Sequence, residues 1–168
     1  MEVITRGIQK IRLILSTLDL FGEYGGWEMQ IFLSFAYDED IDGVNGFRGM
    51  LENPNANINF VDGSCKKDYG EQSEAEIDRY IRSLVDQSSV TVCLISAKTR
   101  SSQWVDRELK ISQSKGKGIA GIILKGKENE ISSYSDCPQI FHGQRYKVYY
   151  WDKPETMRDW IKEAERRR

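Results

Sequence analysis

The chain has 168 residues, about the length of one domain, with 39% hydrophobic residues, four Trp and a net charge of −2. That balance supports a real core and excludes a protein drawn to nucleic acid by its overall charge. Three widely spaced cysteines (Cys65, Cys93, Cys137) with no C-x-x-C pair, and a single histidine, His142, argue against a disulfide framework and a His/Cys zinc cluster. The thiols read as free, in a reducing cytoplasmic setting.

Ile4, Ile8, Ile11, Leu15 and Leu18 recur at helical spacing, which predicts an amphipathic N-terminal helix within residues 1–28, ended by Gly25-Gly26. Its apolar run is broken by Asp19 and is too short to span a bilayer, and no small-residue cleavage site marks it as a signal peptide. The domain proper is read as residues 29–168. Ile31 to Ala36 is its first strand. An acidic run, Asp38-Glu39-Asp40, follows and reads as solvated. Ile41, Val44, Phe47 and Leu51 then mark a helix that Gly43, Gly46 and Gly49 should loosen. After the Asn53-Pro54-Asn55 turn comes a short strand, Ile58 to Val61.

Ser73 with Glu76 three residues later is a capping box, and Ile77, Tyr80, Ile81, Leu84 and Val85 form the apolar face of the helix it starts. Val90 to Ile95 is a continuous apolar strand in which Cys93 reads as a buried thiol. A helix around Trp104 and Glu108 leads to a strand over Ile119 to Leu124. The polar segment Lys125–Arg145 is read as a loop long enough to act as a lid or partner contact. A strand over Tyr146 to Tyr150 precedes a last helix, with Asp152 as its expected N-cap, Pro154 just inside, and Met157, Trp160, Ile161 and Ala164 on its buried side. Apolar strands separated by helices predict an α/β fold, a parallel sheet with helices on both faces.

Three tempting motifs fail on context. Gly116 to Gly121 spells G-x-G-x-x-G, but it leaves a helix and enters a strand, the reverse of a dinucleotide fingerprint. A phospho-acceptor receiver would use Asp62, Ser96 and Lys125 at strand ends, yet Asp62 follows the second strand rather than the third. Cys137 and His142 lie in a polar loop with no orienting partner, so a catalytic dyad is rejected there.

The segment Ser101 to Leu109 is the most informative. Trp104 and Glu108 are four apart and project from one side of a helix, a side that Ile111 continues. No basic residue stands three or four positions from Glu108, so no salt bridge within the helix can neutralise it. A carboxylate on an apolar face needs a distant partner or a ligand, which leaves a structural and a functional reading open. Trp104 reads as core at least as readily as it reads as a pocket wall.

Four pieces in order resemble the TIR domain family, in the branch that supplies the Thoeris anti-phage defence proteins of bacteria and archaea. They are Ile31 to Asp40, Phe60 to Ser64, Ser88 to Ser96, and Ser102 to Leu109 with Gly116 to Ile119. The resemblance implies a flavodoxin-like parallel sheet with helices on both faces. It implies cleavage of NAD⁺, as substrate and with no cofactor, at the nicotinamide–ribose bond, with Glu108 as the catalytic carboxylate. Ser34, Phe35, Ala36, Tyr37, Asp38, Asp62, Gly63, Ser64 and Trp104 would bind the substrate. The implied product is a cyclic ADP-ribose-type signal that activates a separate effector. Self-association and a phage-derived trigger protein are the implied partners, with the N-terminal helix and the 125–145 segment as candidate restraints. The alternative is a TIR-like interaction module that scaffolds partners without turnover.

Overall fold

A parallel strand covered on both faces is shielded from water at every position, because each face meets a helix. Val90–Ile95 and Gly118–Ile123 meet that condition, buried at every residue. The computed structural model describes residues 29–51, 58–61 and 73–168, with the backbone alone at 37–39 and 58–61. Five strands form one sheet among these residues: β1 (Met29–Ser34), β2 (Ile58–Val61), β3 (Val90–Ile95), β4 (Gly118–Ile123) and β5 (Lys147–Tyr150). Their order is β2-β1-β3-β4-β5 and every neighbouring pair is parallel. That is a flavodoxin-like order, the sheet type the family resemblance implies.

Among the described residues four helices cover the sheet: α1 (Tyr37–Leu51), α2 (Glu74–Asp86), α3 (Gln103–Ser114) and α4 (Pro154–Arg166). Alternation along the strands sends Ile31, Leu33, Val92, Leu94, Ala120 and Ile122 to one face. There they meet Val44, Phe47 and Leu51 of α1 and Met157, Ile161 and Ala164 of α4. On the opposite face Cys93, Ile95, Ile119 and Ile123 pack on Val105 and Leu109 of α3. Phe32 meets Ile77, Ile81 and Val85 of α2 beside Ile111. No helix of the described residues is long and apolar enough to cross a membrane.

The capping box at α2 is formed: Ser73 N–H donates to Glu76 Oε2 at 2.9 Å, and Glu76 N–H donates to Ser73 Oγ at 3.4 Å. The G-x-G-x-x-G run is explained by packing. Gly116 has φ of 65° just beyond the end of α3, and a Cβ on Gly118 would run into the Ala164 carbonyl of α4. Arg107 of α3 pairs with Asp78 of α2, tying the two helices on their shared face.

Several expectations need correction. β1 ends at Ser34, so Phe35 and Ala36 leave the strand. α1 runs unbroken through its glycines, and Gly43 lets the Leu124 side chain approach to 3.2 Å of where a Cβ would stand. Tyr80 is 47% exposed and does not join the apolar face of α2. Asp152 does not cap the last helix: the N-cap is Lys153, whose N–H donates to Asp152 Oδ1 at 2.7 Å. Trp160 is half-buried, stacked on Tyr149 at 4.4 Å between ring centres.

The 125–145 segment is the largest correction. It folds as three 3-10 turns, and Ile131, Cys137 and Phe141 are buried against Ile95, Val105 and Leu109. His142 Nε2 lies 3.0 Å from the Cys137 carbonyl oxygen, a loop-closing contact and no dyad. A segment anchored by three core side chains is part of the domain, not a swinging lid. The expected N-terminal helix, Cys65 and the Asp62–Ser64 loop lie outside the described residues.

Two outcomes follow from the packing. Phe141 has no solvent exposure, so Phe141→Ala should cost about 3–5 kcal/mol in denaturant unfolding. A freely moving lid would show ~0.5 kcal/mol or less. The second outcome is acid sensitivity. The hydrogen bond from Arg107 holds the Asp78 carboxyl below its ordinary value, and the Ser132 hydroxyl and the backbone N–H groups of Ser132 and Ser133 do the same for Asp136. A folded-state value below the unfolded one contributes stability above the unfolded pKa of about 3.9, which is lost as pH falls through the folded value. The urea midpoint should therefore be level at neutral pH and fall below about pH 4. Asp78→Asn should lie below wild type at neutral pH and converge with it on the acid side.

Candidate functional site

The site lies where the connections leaving two neighbouring strands diverge. β1 runs into α1 on one face of the sheet, while β3 leads to α3 on the other. Such a switch point opens a crevice at the carboxyl edge, the usual ligand position in open α/β sheets.

Ser34 is the last residue of β1 and has the parity of Phe32, so its hydroxyl faces α3. α3 begins at the N-cap Ser102, whose Oγ accepts the Val105 N–H at 3.3 Å. That start places Glu108 on the buried side with Val105, Leu109, Ile111 and Ser112. Ser34 Oγ donates to Glu108 Oε2 at 2.6 Å, and the glutamate is only 3% exposed. The distance belongs to the charge-assisted range for a hydroxyl on a carboxylate. This is the distant partner that the helix itself could not provide.

A buried polar chain continues behind the carboxylate. Thr91 Oγ1 donates to Ser112 Oγ at 2.7 Å, and Ser112 Oγ donates to the Glu108 carbonyl at 2.9 Å. Cys93 lies opposite Ser34 in the β1–β3 register. Burial first, and then the Glu108 charge, drive its thiol well above the ordinary value, so it stays neutral. Burial likewise pushes the Cys137 thiol up to about 11.

The other expected residues separate. Phe35 is buried in the α1 face of the core, with the Arg48 guanidinium 5.6 Å from its ring centre. Ala36 is half-buried just past the end of β1, and for Tyr37 and Asp38 the backbone opens α1 beside it. Trp104 is 40% exposed with Arg107 over its ring at 5.9 Å, so it is not core filler. Asp62, Gly63 and Ser64 lie outside the described residues.

A second carboxylate at this edge is buried rather than solvated. Asp40, assigned to a solvated acidic run, is 3% exposed and accepts a hydrogen bond from Ser96 Oγ at 2.6 Å. The signal was present in the spacing: Asp40, Val44, Phe47 and Leu51 continue one helical stripe, which puts the carboxylate on the buried side. Among the described residues no three His, Cys, Asp or Glu side chains group as a metal site.

The arrangement invites comparison with known folds. The TIR domain of the Toll-related receptor TRR-2 from Hydra magnipapillata matches with a TM-score of 0.50 and 17% identity, covering 81% of this chain and 94% of that one. That likeness shows a TIR-like fold. The CMP N-glycosidase BcmB of Clostridium botulinum matches at a TM-score of 0.46 and 13% identity, covering 79% of this chain and 97% of the other. No curated protein matches the sequence. The family model described as Thoeris protein ThsB, TIR-like domain, matches residues 32–129, which include the end of β1 and the whole of β3 and α3. With more than half of its length matched and a TIR-like fold around it, this chain belongs to the Thoeris ThsB family of TIR-like domains.

Proposed function

We propose that the chain cleaves NAD⁺ at the nicotinamide–ribose bond, with Glu108 as the carboxylate that stabilises the reacting ribose. The observation carrying this reading is the buried Glu108 carboxylate at the β1/β3 switch point, fixed by Ser34 at 2.6 Å. The chemistry needs little more. The bond from ribose C1′ to the pyridinium nitrogen breaks with its electron pair passing to that nitrogen. Nicotinamide therefore leaves neutral and needs no general acid. The positive charge that develops on the ribose is met by a preorganised anion in a water-poor site, where such an interaction is strong. Ser34 serves that role by holding Oε2, which limits rotation of the carboxylate.

Water would capture the ribosyl cation to give ADP-ribose, releasing a proton to solvent. Capture by a nucleophilic atom of the same nucleotide would give a cyclic isomer, and exclusion of water favours that route. In this reading the product is a cyclic ADP-ribose-type signal, and its target is a separate effector in anti-phage defence. In this reading the backbone from Ala36 to Asp38 walls the nucleotide site, and Asp62, Gly63 and Ser64 bind the same substrate. A phage-derived trigger and self-association bring the chain to its active state, and residues 1–28 are the candidate restraint.

A second reading has its own support. Glu108 is so deeply buried that the Ser34 bond could serve only to tie α3 to β1, in a domain that scaffolds partners. Chromatography of NAD⁺ incubated with the full chain, with and without phage-infected lysate, separates the two. Nicotinamide release is expected, and Glu108→Gln should lower its rate by at least ~10²-fold. The amide preserves shape and an oxygen for Ser34 while neutralising a buried charge, so the melting temperature should hold or rise. Wild-type turnover by this variant would remove Glu108 from catalysis. No nicotinamide under either condition would favour the scaffold.

A further inference from the structure

The carboxyl edge carries two buried serine–carboxylate couples, and they are crossed. β1 ends in Ser34, which holds Glu108 from the helix that follows β3. β3 is followed by Ser96, which holds Asp40 from the helix that follows β1. Each branch of the switch point is thus tied to the strand end of the other. Parity explains the opposite faces: Ser34 continues the alternation of Phe32 towards α3, whereas Ser96 continues that of Val92 and Leu94 towards α1. Both bonds are 2.6 Å long, and all four side chains are 3% exposed or less.

Ser96 is also the hub of the connection that delivers α3. Its Oγ accepts the Lys98 N–H at 3.2 Å, and its carbonyl accepts the Thr99 hydroxyl at 2.7 Å. The Thr99 carbonyl then accepts the Ser102 N–H at 3.3 Å, and Ser102 caps α3. From the other side, the Ala97 N–H donates to Glu130 Oε2 at 3.2 Å. The path from Asp40 to the start of the Glu108 helix is therefore a continuous run of hydrogen bonds.

We propose that Asp40 is a positioning residue for this site: through Ser96 it sets the β3–α3 connection and with it the placement of Glu108 opposite the β1–α1 wall. The inference rests on the NAD⁺-cleavage reading for its effect on rate, but the brace itself is a property of the fold. A hydrogen bond to a buried carboxylate is strong because neither group has water as an alternative partner. Its loss frees the loop locally while the sheet, held by its own ladder and two apolar faces, stays intact. Misplacement of a catalytic group by a fraction of an ångström lowers kcat more than it changes KM.

The test compares Asp40→Asn, Asp40→Ala and Ser96→Ala in the full chain by hydrogen exchange and by NAD⁺ kinetics. In Asp40→Ala and Ser96→Ala, amides from Ala97 to Val105 should exchange at least ~10-fold faster, with β4 and α4 at wild-type rates. Nicotinamide release should fall ~10–10²-fold in kcat with KM within about threefold. Asp40→Asn retains an oxygen for the Ser96 hydroxyl and should recover most of both losses. Uniformly faster exchange through the whole chain, or failure of both alanine variants to fold, would make Asp40 an ordinary stability contact and overturn the proposal. So would wild-type exchange over residues 97–105. If the wild type releases no nicotinamide, the NAD⁺ reading fails, while the exchange pattern still decides the brace. If NAD⁺ is cleaved and only the kinetic effect of Asp40→Ala is missing, the brace stands without a catalytic role and the positioning proposal is overturned.

Discussion

A carboxylate leaves water only where something else solvates it, and that requirement organises the carboxyl edge of this sheet. Glu108 stands among Val105, Leu109 and Ile111, on a helix that offers it no cation at the neighbouring turns. The Ser34 hydroxyl meets it instead, 74 positions away in the chain. A hydrogen bond to a charged group contributes about 1.5–3 kcal/mol, and leaving that charge buried without it would cost as much or more. α3 can therefore seat its apolar face against β3 and β4 only in the register that also brings Glu108 to the end of β1.

The parallel sheet makes that meeting possible. Because β1 and β3 are neighbours whose connections leave on opposite faces, their ends lie side by side while α1 and α3 stay apart. Only at the carboxyl edge can a residue from one face reach the strand end belonging to the other. Ser34–Glu108 and Asp40–Ser96 use this geometry in opposite senses. The remainder of the molecule supports it with apolar contact: α4 and α1 back one face, α2, α3 and the turns between β4 and β5 the other. On the proposed NAD⁺ cleavage, the chemistry of such an edge would be carried by few groups, because a pyridinium leaving group asks for charge stabilisation rather than proton transfer.

The long β4–β5 connection shows how composition alone misleads. From Lys125 to Arg145 most residues are polar, and the apolar ones follow neither a period of two nor of 3.6. Yet Ile131, Cys137 and Phe141 each enter the core, because three successive 3-10 turns aim them at the open flank of β4 and α3. Polar neighbours remain at the surface, where Ser132 and Ser133 satisfy Asp136 and Lys127 satisfies Glu130. Irregular segments bury side chains according to the cavity they cover, a quantity no local pattern encodes.

The linear pattern by itself determined the strand–helix alternation, the parallel α/β class, the capping box at Ser73 and the anomaly of Glu108. These rest on periodicity and on short-range hydrogen bonding, which operate within one or two turns of chain. The partners of the two buried carboxylates were decided only by the tertiary structure. Ser34 and Ser96 look like ordinary strand-end serines, and Asp40 like one of three acidic loop residues, until the sheet order sets β1 beside β3. Strand order is a long-range property: it depends on which helix covers which face, and thus on the summed burial of residues far apart in the chain. The chemistry of the edge, a pair of crossed bonds between residues 56 and 74 positions apart, exists only once that sum has been made.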